Sequence, residues 1–183
     1  STTVSGNDGV EITGTGTTVT SATGSISVTG VGFSGDGVDV SSAAVVASTD
    51  TATIIIGGTS TAADQAGVRL QDTNTQITSV DGDISITGTN NSNLGAFLVS
   101  GVEISSTGTG ASAATITITG TGAAGIDIDT AGTLVSSVVG DIQLDGNANT
   151  LEGILIADAT ISSAGTTADA ATVTLDGSSN GAV

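Results

Sequence analysis

Apolar and polar residues alternate along this chain in short bursts, and the bursts recur. One burst begins with glycine and reads Gly-h-x-h, where h is apolar. It appears as Gly9-Val10-Glu11-Ile12, Gly37-Val38-Asp39-Val40, Gly67-Val68-Arg69-Leu70, Gly125-Ile126-Asp127-Ile128 and Gly153-Ile154-Leu155-Ile156. A weaker copy stands at Gly95-Ala96-Phe97-Leu98 and a truncated one at Gly181-Ala182-Val183. The glycine-to-glycine steps are 28, 30, 28, 30, 28 and 28 residues. Two-residue alternation is the strand signal. Self-similarity at a period of 20 to 50 residues marks a solenoid, propeller or array.

Two further bursts complete each period. The second reads h-x-Ser, from Val19-Thr20-Ser21 through Val46-Ala47-Ser48, Ile77-Thr78-Ser79, Ile104-Ser105-Ser106 and Val135-Ser136-Ser137 to Ile161-Ser162-Ser163. Strand geometry puts the apolar residue and the last serine on the same, inner side. Ser21, Ser48, Ser79, Ser106, Ser137 and Ser163 are therefore expected as an inward column, with each hydroxyl donating to the next. The third burst reads h-x-h-x-Gly and ends at Gly30, Gly58, Gly88, Gly120, Gly146 and Gly177. A fixed glycine column implies either positive φ at a corner or close backbone stacking between coils.

Three strands in about 28–30 residues predict an all-β, three-faced parallel β-solenoid of six full coils plus partial terminal coils. Blades of about 40 residues exclude a propeller. The right-handed form is expected by analogy with parallel crossovers. Loops absorb the length differences, in the second-to-third connections at Thr107 to Ala114 and Ala164 to Ala171 and in the third-to-first connection at Thr59 to Ala66. Residues 1–183 form one solenoid segment. Val4-Ser5-Gly6 matches the end of a preceding coil and Gly181-Ala182-Val183 the start of a following one. Continuation, or stacking on another copy, is expected at both ends, because a bare terminal coil offers unpaired edges.

Composition narrows the function. Eighteen acids face a single base, Arg69, for a formal charge of −17. A mean hydropathy of +0.37, with ordered alternation, argues against disorder. Such an acidic surface repels phosphate backbones and anionic lipid, and favours divalent cations or basic partners. No run of about 18 apolar residues predicts a membrane helix, and no basic segment followed by an apolar run predicts a signal peptide. Without histidine or cysteine, triads and thiol chemistry built on them are excluded. The chain is expected not to be an enzyme.

The Gly-Val-Asp-Val, Ile-Ser-Ile-Thr-Gly and Ser-rich segments at this period resemble the β-helical repeats of large secreted bacterial surface proteins. Filamentous haemagglutinin-like adhesins and autotransporter passengers are the nearest such groups. The resemblance covers the whole chain and implies an extracellular or cell-surface filament, sheath or adhesin shaft. It carries over no catalytic residue.

The alternative is a binding module for carbohydrate or calcium. On the outward side of the first face, stacking predicts Asp39, Arg69, Phe97 and Asp127 in successive coils, about 5 Å apart. The plain reading is an exposed ladder in which Arg69 pairs with Asp39 and packs along Phe97. Calcium is the one cofactor that the acids suggest, with Asp81 and Asp83, Asp127 and Asp129, or Asp36 and Asp39 as local ligand pairs. Aspartates in Gly-rich turns also bond their own backbone. Outward Thr-x-Thr rows on the third face, such as Thr115-Thr117-Thr119, are broken at Ile55 and at Asp141-Gln143-Asp145. Asn90-Asn91-Ser92 fits the N-glycosylation pattern in a predicted loop.

Overall fold

The computed structural model describes residues 7–166 and 170–181. Their ordered secondary structure is all strand, stacked as a parallel β-solenoid. The first coil holds β1 (Val10–Thr13), β2 (Thr18–Ser21) and β3 (Ile26–Gly32). The second holds β4 (Val38–Ser41), β5 (Val45–Ser48) and β6 (Ile54–Ser60). The third holds β7 (Val68–Gln71), β8 (Gln76–Ser79) and the start of β9 (Ile84–Val99). The fourth uses the end of β9, β10 (Glu103–Ser106) and the start of β11 (Ile116–Asp129). The fifth uses the end of β11, β12 (Leu134–Ser137) and β13 (Ile142–Ala148). The sixth holds β14 (Ile154–Ala157), β15 (Thr160–Ser163) and β16 (Val173–Ser179).

The three sequence faces form two hydrogen-bonded sheets. A six-stranded sheet runs β2, β5, β8, β10, β12, β15. The first and third faces share one ten-stranded sheet, because β9 and β11 continue through the corner between them. Every predicted column is in register, with Val10 beside Val38, Ile77 beside Ile104, and Ile84 beside Ile116. The inward Val, Ile, Leu and Ala residues make one core, and Ile54, Ile84, Ile116 and Leu144 are fully buried. β-Branched residues suit this pleated, interlayered interior.

The corner glycines separate the two explanations left open by the sequence. None of them has positive φ. A Cβ on Gly30, Gly58, Gly88, Gly120 or Gly146 would overlap the carbonyl oxygen of Gly37, Gly67, Gly95, Gly125 or Gly153 respectively. The tetrad glycines are equally confined. A Cβ on Gly37, Gly67 or Gly95 would overlap the backbone nitrogen of Thr59, Thr89 or Thr121. Two glycine columns thus pack backbone to backbone up the stack and pinch each third-to-first loop into a narrow neck.

The serine column forms, but its hydroxyls do not bond along it. Ser48, Ser79, Ser106 and Ser137 are buried, whereas Ser21 is half-buried and Ser163 exposed. The Ser48 hydroxyl donates to Asp50 O at 3.2 Å, and that of Ser79 to Gly82 O. Each turns to a carbonyl of its own loop, which accepts better than a hydroxyl one strand away. The hydroxyls of Ser106 and Ser137 have no protein partner.

One regularity escaped the sequence reading. The turns between first and second faces are of two kinds, and they alternate. The first, third and fifth coils have positive φ at Gly14 and Gly16, Asp72 and Asn74, and Thr130 and Gly132. The second and fourth have it at Ser42 with Ala43 and at Ser100 with Gly101, and the sixth at Asp158. Both series step by 58 residues over the first five coils, so a pair of coils repeats there; the sixth departs from it, with a turn of two residues (158–159) where the second and fourth have three (42–44 and 100–102). The two turn types interlock: Ala43 N donates to Thr75 Oγ1 and Gly101 N to Thr133 Oγ1, each at 3.0 Å. The sequence-predicted partial coils at Val4-Ser5-Gly6 and Ala182-Val183 lie outside the described residues.

The glycine columns predict a sharp contrast. Gly88→Ala is expected to destabilise the fold by at least ~3 kcal/mol, since backbone lies on both sides of the new methyl. At Gly177 a Cβ would meet nothing closer than 3.4 Å, so Gly177→Ala is expected to stay within about 0.5 kcal/mol of the parent. Thermal or urea melts of the two variants decide it, and equal effects would contradict the pinched neck.

Candidate functional site

The outward column of the first face is assembled as the spacing predicts. Asp39 stands beside Arg69, Arg69 beside Phe97 and Phe97 beside Asp127. The Arg69 guanidinium lies over the Phe97 ring, 5.6 Å from its centroid, within the range of a cation–π contact. Its ion pair is with Asp36 rather than Asp39. Arg69 Nε lies 3.1 Å from Asp36 Oδ2, a charge contact without the alignment of a directed hydrogen bond. Asp36 wins because it precedes the tetrad glycine and its side chain turns up the stack. Its Oδ1 also accepts Ala66 N at 2.5 Å.

Asp36 belongs to a short carboxylate staircase. Asp8 Oδ1 accepts Asp36 N at 2.6 Å, one coil below the equivalent bond from Ala66 N to Asp36. The staircase stops at Ala66, which has no carboxylate. Asp8, Glu11, Asp36, Asp39 and Arg69 line a polar depression of about 590 Å³ on the first three coils. Within it, carboxylate oxygens of Asp8, Glu11 and Asp39 lie within 4.8 Å of one another, the one such group of three among the described residues. Asp8 was missed in the sequence. The signal was an Asp-Gly pair repeated at Asp8-Gly9 and Asp36-Gly37.

Asp39 is 5% exposed. Its Oδ2 accepts the Ser41 hydroxyl at 2.7 Å and its Oδ1 accepts Gln71 Nε2 at 3.1 Å. Burial pushes its carboxyl up to about 6. The Ser41 bond opposes the shift, Asp36 and Asp8 add to it, and Arg69 opposes it weakly. Burial also raises Asp36, against the Ala66 bond and Arg69. Asp127 sits higher on the same column, between Phe97 and Leu155. Its carboxyl is raised by burial and by Asp129 and Glu152, and its Oδ1 has no protein partner.

The remaining metal candidates divide differently. Asp83 Oδ1 accepts both the backbone N and the hydroxyl of Thr115, at 2.9 and 2.8 Å. Asp141 repeats the bond with Thr172 N at 2.8 Å. These aspartates tie one coil to the next rather than closing their own turns. Asp81 is half-buried nearby. Asp129 caps the adjacent Thr130 N, the local bond expected of an aspartate in a turn. Neither Asp81 with Asp83 nor Asp127 with Asp129 belongs to a group of three carboxylates. The Asn90 glycosylation pattern is sealed: Asn90 is 1% exposed, and its Nδ2 donates to Ala62 O at 2.8 Å and Gln65 O at 2.6 Å. It staples the long loop after β6.

No family model, curated protein or solved structure matches this chain.

The raised Asp39 carboxyl gives a pH dependence of known sign. Its ordinary value is 3.8 and its folded value about 6, so the folded chain holds this proton more tightly than the unfolded one. The group favours folding as pH falls through about 6 toward about 4, and opposes it above. Asp39→Asn is expected to raise the melting temperature at about pH 8 by about 2–4 °C, the shift for about 1 kcal/mol in a domain of this size. It should leave the value at about pH 5 nearer the parent's. An unchanged pH slope in the variant would show that Asp39 does not carry the effect.

Proposed function

We propose that this chain is a segment of a structural rod, an extracellular filament, sheath or adhesin shaft. The observation that carries this reading is the in-register stacking of the strand columns of both sheets from coil to coil, with one shift between Gly122 and Ala124 at a neck. Parallel ladders running along the axis make a continuous hydrogen-bonded rod, rising about 29 Å for six coils at strand spacing. An acidic coat keeps such rods from associating sideways. The motif resemblance to haemagglutinin-like adhesins and autotransporter passengers supports the cell-surface setting, as does the near absence of aromatic, thiol and imidazole side chains. Electron microscopy and diffraction of the native material test it. Long uniform fibres with an axial repeat near about 4.8 Å are expected; globular particles without that repeat would reject the rod.

A second reading is calcium binding, supported by the convergence of Asp8, Glu11 and Asp39. Three converging carboxylates offer oxygen donors to a hard cation, and a cation there would relieve the repulsion from Asp36 and Asp8 that adds to the burial-driven rise of Asp39. Carbohydrate contact across Arg69 and Phe97 belongs to the same alternative. Millimolar calcium is expected to raise the melting temperature of the parent but not of Glu11→Gln/Asp39→Asn. No calcium shift in the parent, or an equal shift in the variant, would remove this site from consideration.

A further inference from the structure

The acidic coat is missing from one side of the molecule. The first face presents Glu11, Asp39 and Asp127 outward, and the third presents Asp145 and Asp176. On the outward side of the six-stranded sheet Glu103 is the one carboxylate. Gln76 on the neighbouring strand donates its Nε2 to Glu103 Oε2 at 3.2 Å. All other outward residues of this sheet are uncharged.

This side also has the same order of chemistry in both directions along the stack. One outward column runs Thr18, Val45, Gln76, Glu103, Leu134, Thr160. Its centre lies between β8 and β10. Counting away from that centre, an amide matches a carboxylate, a valine matches a leucine and a threonine matches a threonine. The other outward column behaves alike. Thr78 matches Ser105 and Thr20 matches Ser162, both as hydroxyls, and Ala47 matches Ser136 in size. A surface of this symmetry complements itself when one copy is turned end over end about an axis along the strands.

We propose that two copies of this chain pair through this side, with their coil axes antiparallel, about a two-fold axis that runs along the strands between β8 and β10. The contact is isologous and closes at two copies. It uses this side alone and stands independently of the rod reading. Gln76 of each copy faces Glu103 of the other, so each carboxylate meets an amide across the contact rather than a second carboxylate. Val45 of each copy faces Leu134 of the other and leaves water with it. The area sets the strength. Six strands about 4.8 Å apart and four residues of about 3.3 Å each give a side of about 29 by 13 Å, or about 380 Å² per copy. A standard interface takes about 800 Å² from each partner, so this pair is weak and dissociates on dilution. Salt screens the repulsion between two copies of charge −17 and leaves an uncharged contact intact, so the pair tightens as salt rises.

Sedimentation equilibrium over a range of concentrations tests it, in about 1 M sodium chloride, where screening reaches about 3 Å. The parent is expected to show a monomer–dimer equilibrium that shifts toward monomer at low salt. Gln76→Glu sets carboxylate against carboxylate and is expected to weaken the dimer at least about tenfold. Val45→Lys and Leu134→Asp are each expected to weaken it alone. Mixed together they are expected to restore a heterodimer, because the introduced lysine of one copy then faces the introduced aspartate of the other. These positions face outward, so the variants should melt with the parent; should Val45→Lys fail to fold, the parent and Gln76→Glu decide the matter. A parent that stays monomeric at high concentration and high salt would overturn the proposal, as would a dimer indifferent to Gln76→Glu, which would use another face. Failure of the mixture to recover would overturn the antiparallel arrangement, since copies aligned in parallel keep Val45 away from Leu134.

Discussion

The structure depends on two backbone columns that approach each other too closely for any side chain. At each neck, the carbonyl of a tetrad glycine sits where the Cβ of the preceding corner residue would be. Everything else follows from holding that distance. The pinch lets the third and first faces share one sheet, with β9 and β11 running through it. It aims each loop outward, so that loops of different length leave the core undisturbed. The inward positions of all three faces meet in one core, where narrow β-branched residues fill the coil without an aromatic.

Electrostatics then works against the stack it decorates. In-register stacking places Glu11 against Asp39, and like charges in neighbouring strands are destabilising. The chain answers locally. Asp8 and Asp36 spend their acceptors on backbone N–H groups of the coil above, which turns part of the charge into stacking bonds. Asp39 is sheltered by Ser41 and Gln71, and Arg69, the one base, lands at the upper end of the acidic run. Burial raises the Asp39 and Asp36 carboxyls, and the neighbouring carboxylates add to the rise. A depression kept under such strain is where a cation or a basic side chain would gain most.

The fold was legible because solenoids repeat their constraints. Three columns recurring in phase specify the faces, the register and the loop insertions. What stayed hidden depended on direction rather than position. Sequence puts Arg69 beside Asp39, and it does stand there, but it does not reveal that Asp36, on the loop side, reaches the guanidinium first. Similarly, the inward serines are where the period puts them, yet the hydroxyls of Ser48 and Ser79 bond their own loops and those of Ser106 and Ser137 find no protein partner, because the nearest good acceptor depends on the turn that follows. Asn90 reads as an exposed loop asparagine and is instead buried under carbonyls of the coil below. Asp8 was invisible as a ligand because its partners, Glu11 and Asp39, converge only after the coils stack.

The paired-coil unit bears on how such a uniform chain finds one register. A stack of identical coils has little to oppose a slip by one whole coil, because every inward residue finds an equivalent partner. Alternating turns change that. A slip of one coil would set like turns on each other, so the N–H of Ala43 or Gly101 would lose the threonine hydroxyl it meets in the native stack. Polar groups left without partners are costly in proportion to their burial, and these N–H groups are half-buried, so the wrong register is penalised at both of these turns while the core stays indifferent. A slip of two coils restores the turn chemistry, but it must then disagree with the loop staples at Asn90 and with the carboxylate staircase at Asp8 and Asp36, which occur once each. Specificity in this rod is therefore written in its loops and turns, and the sheets supply the strength that the loops direct.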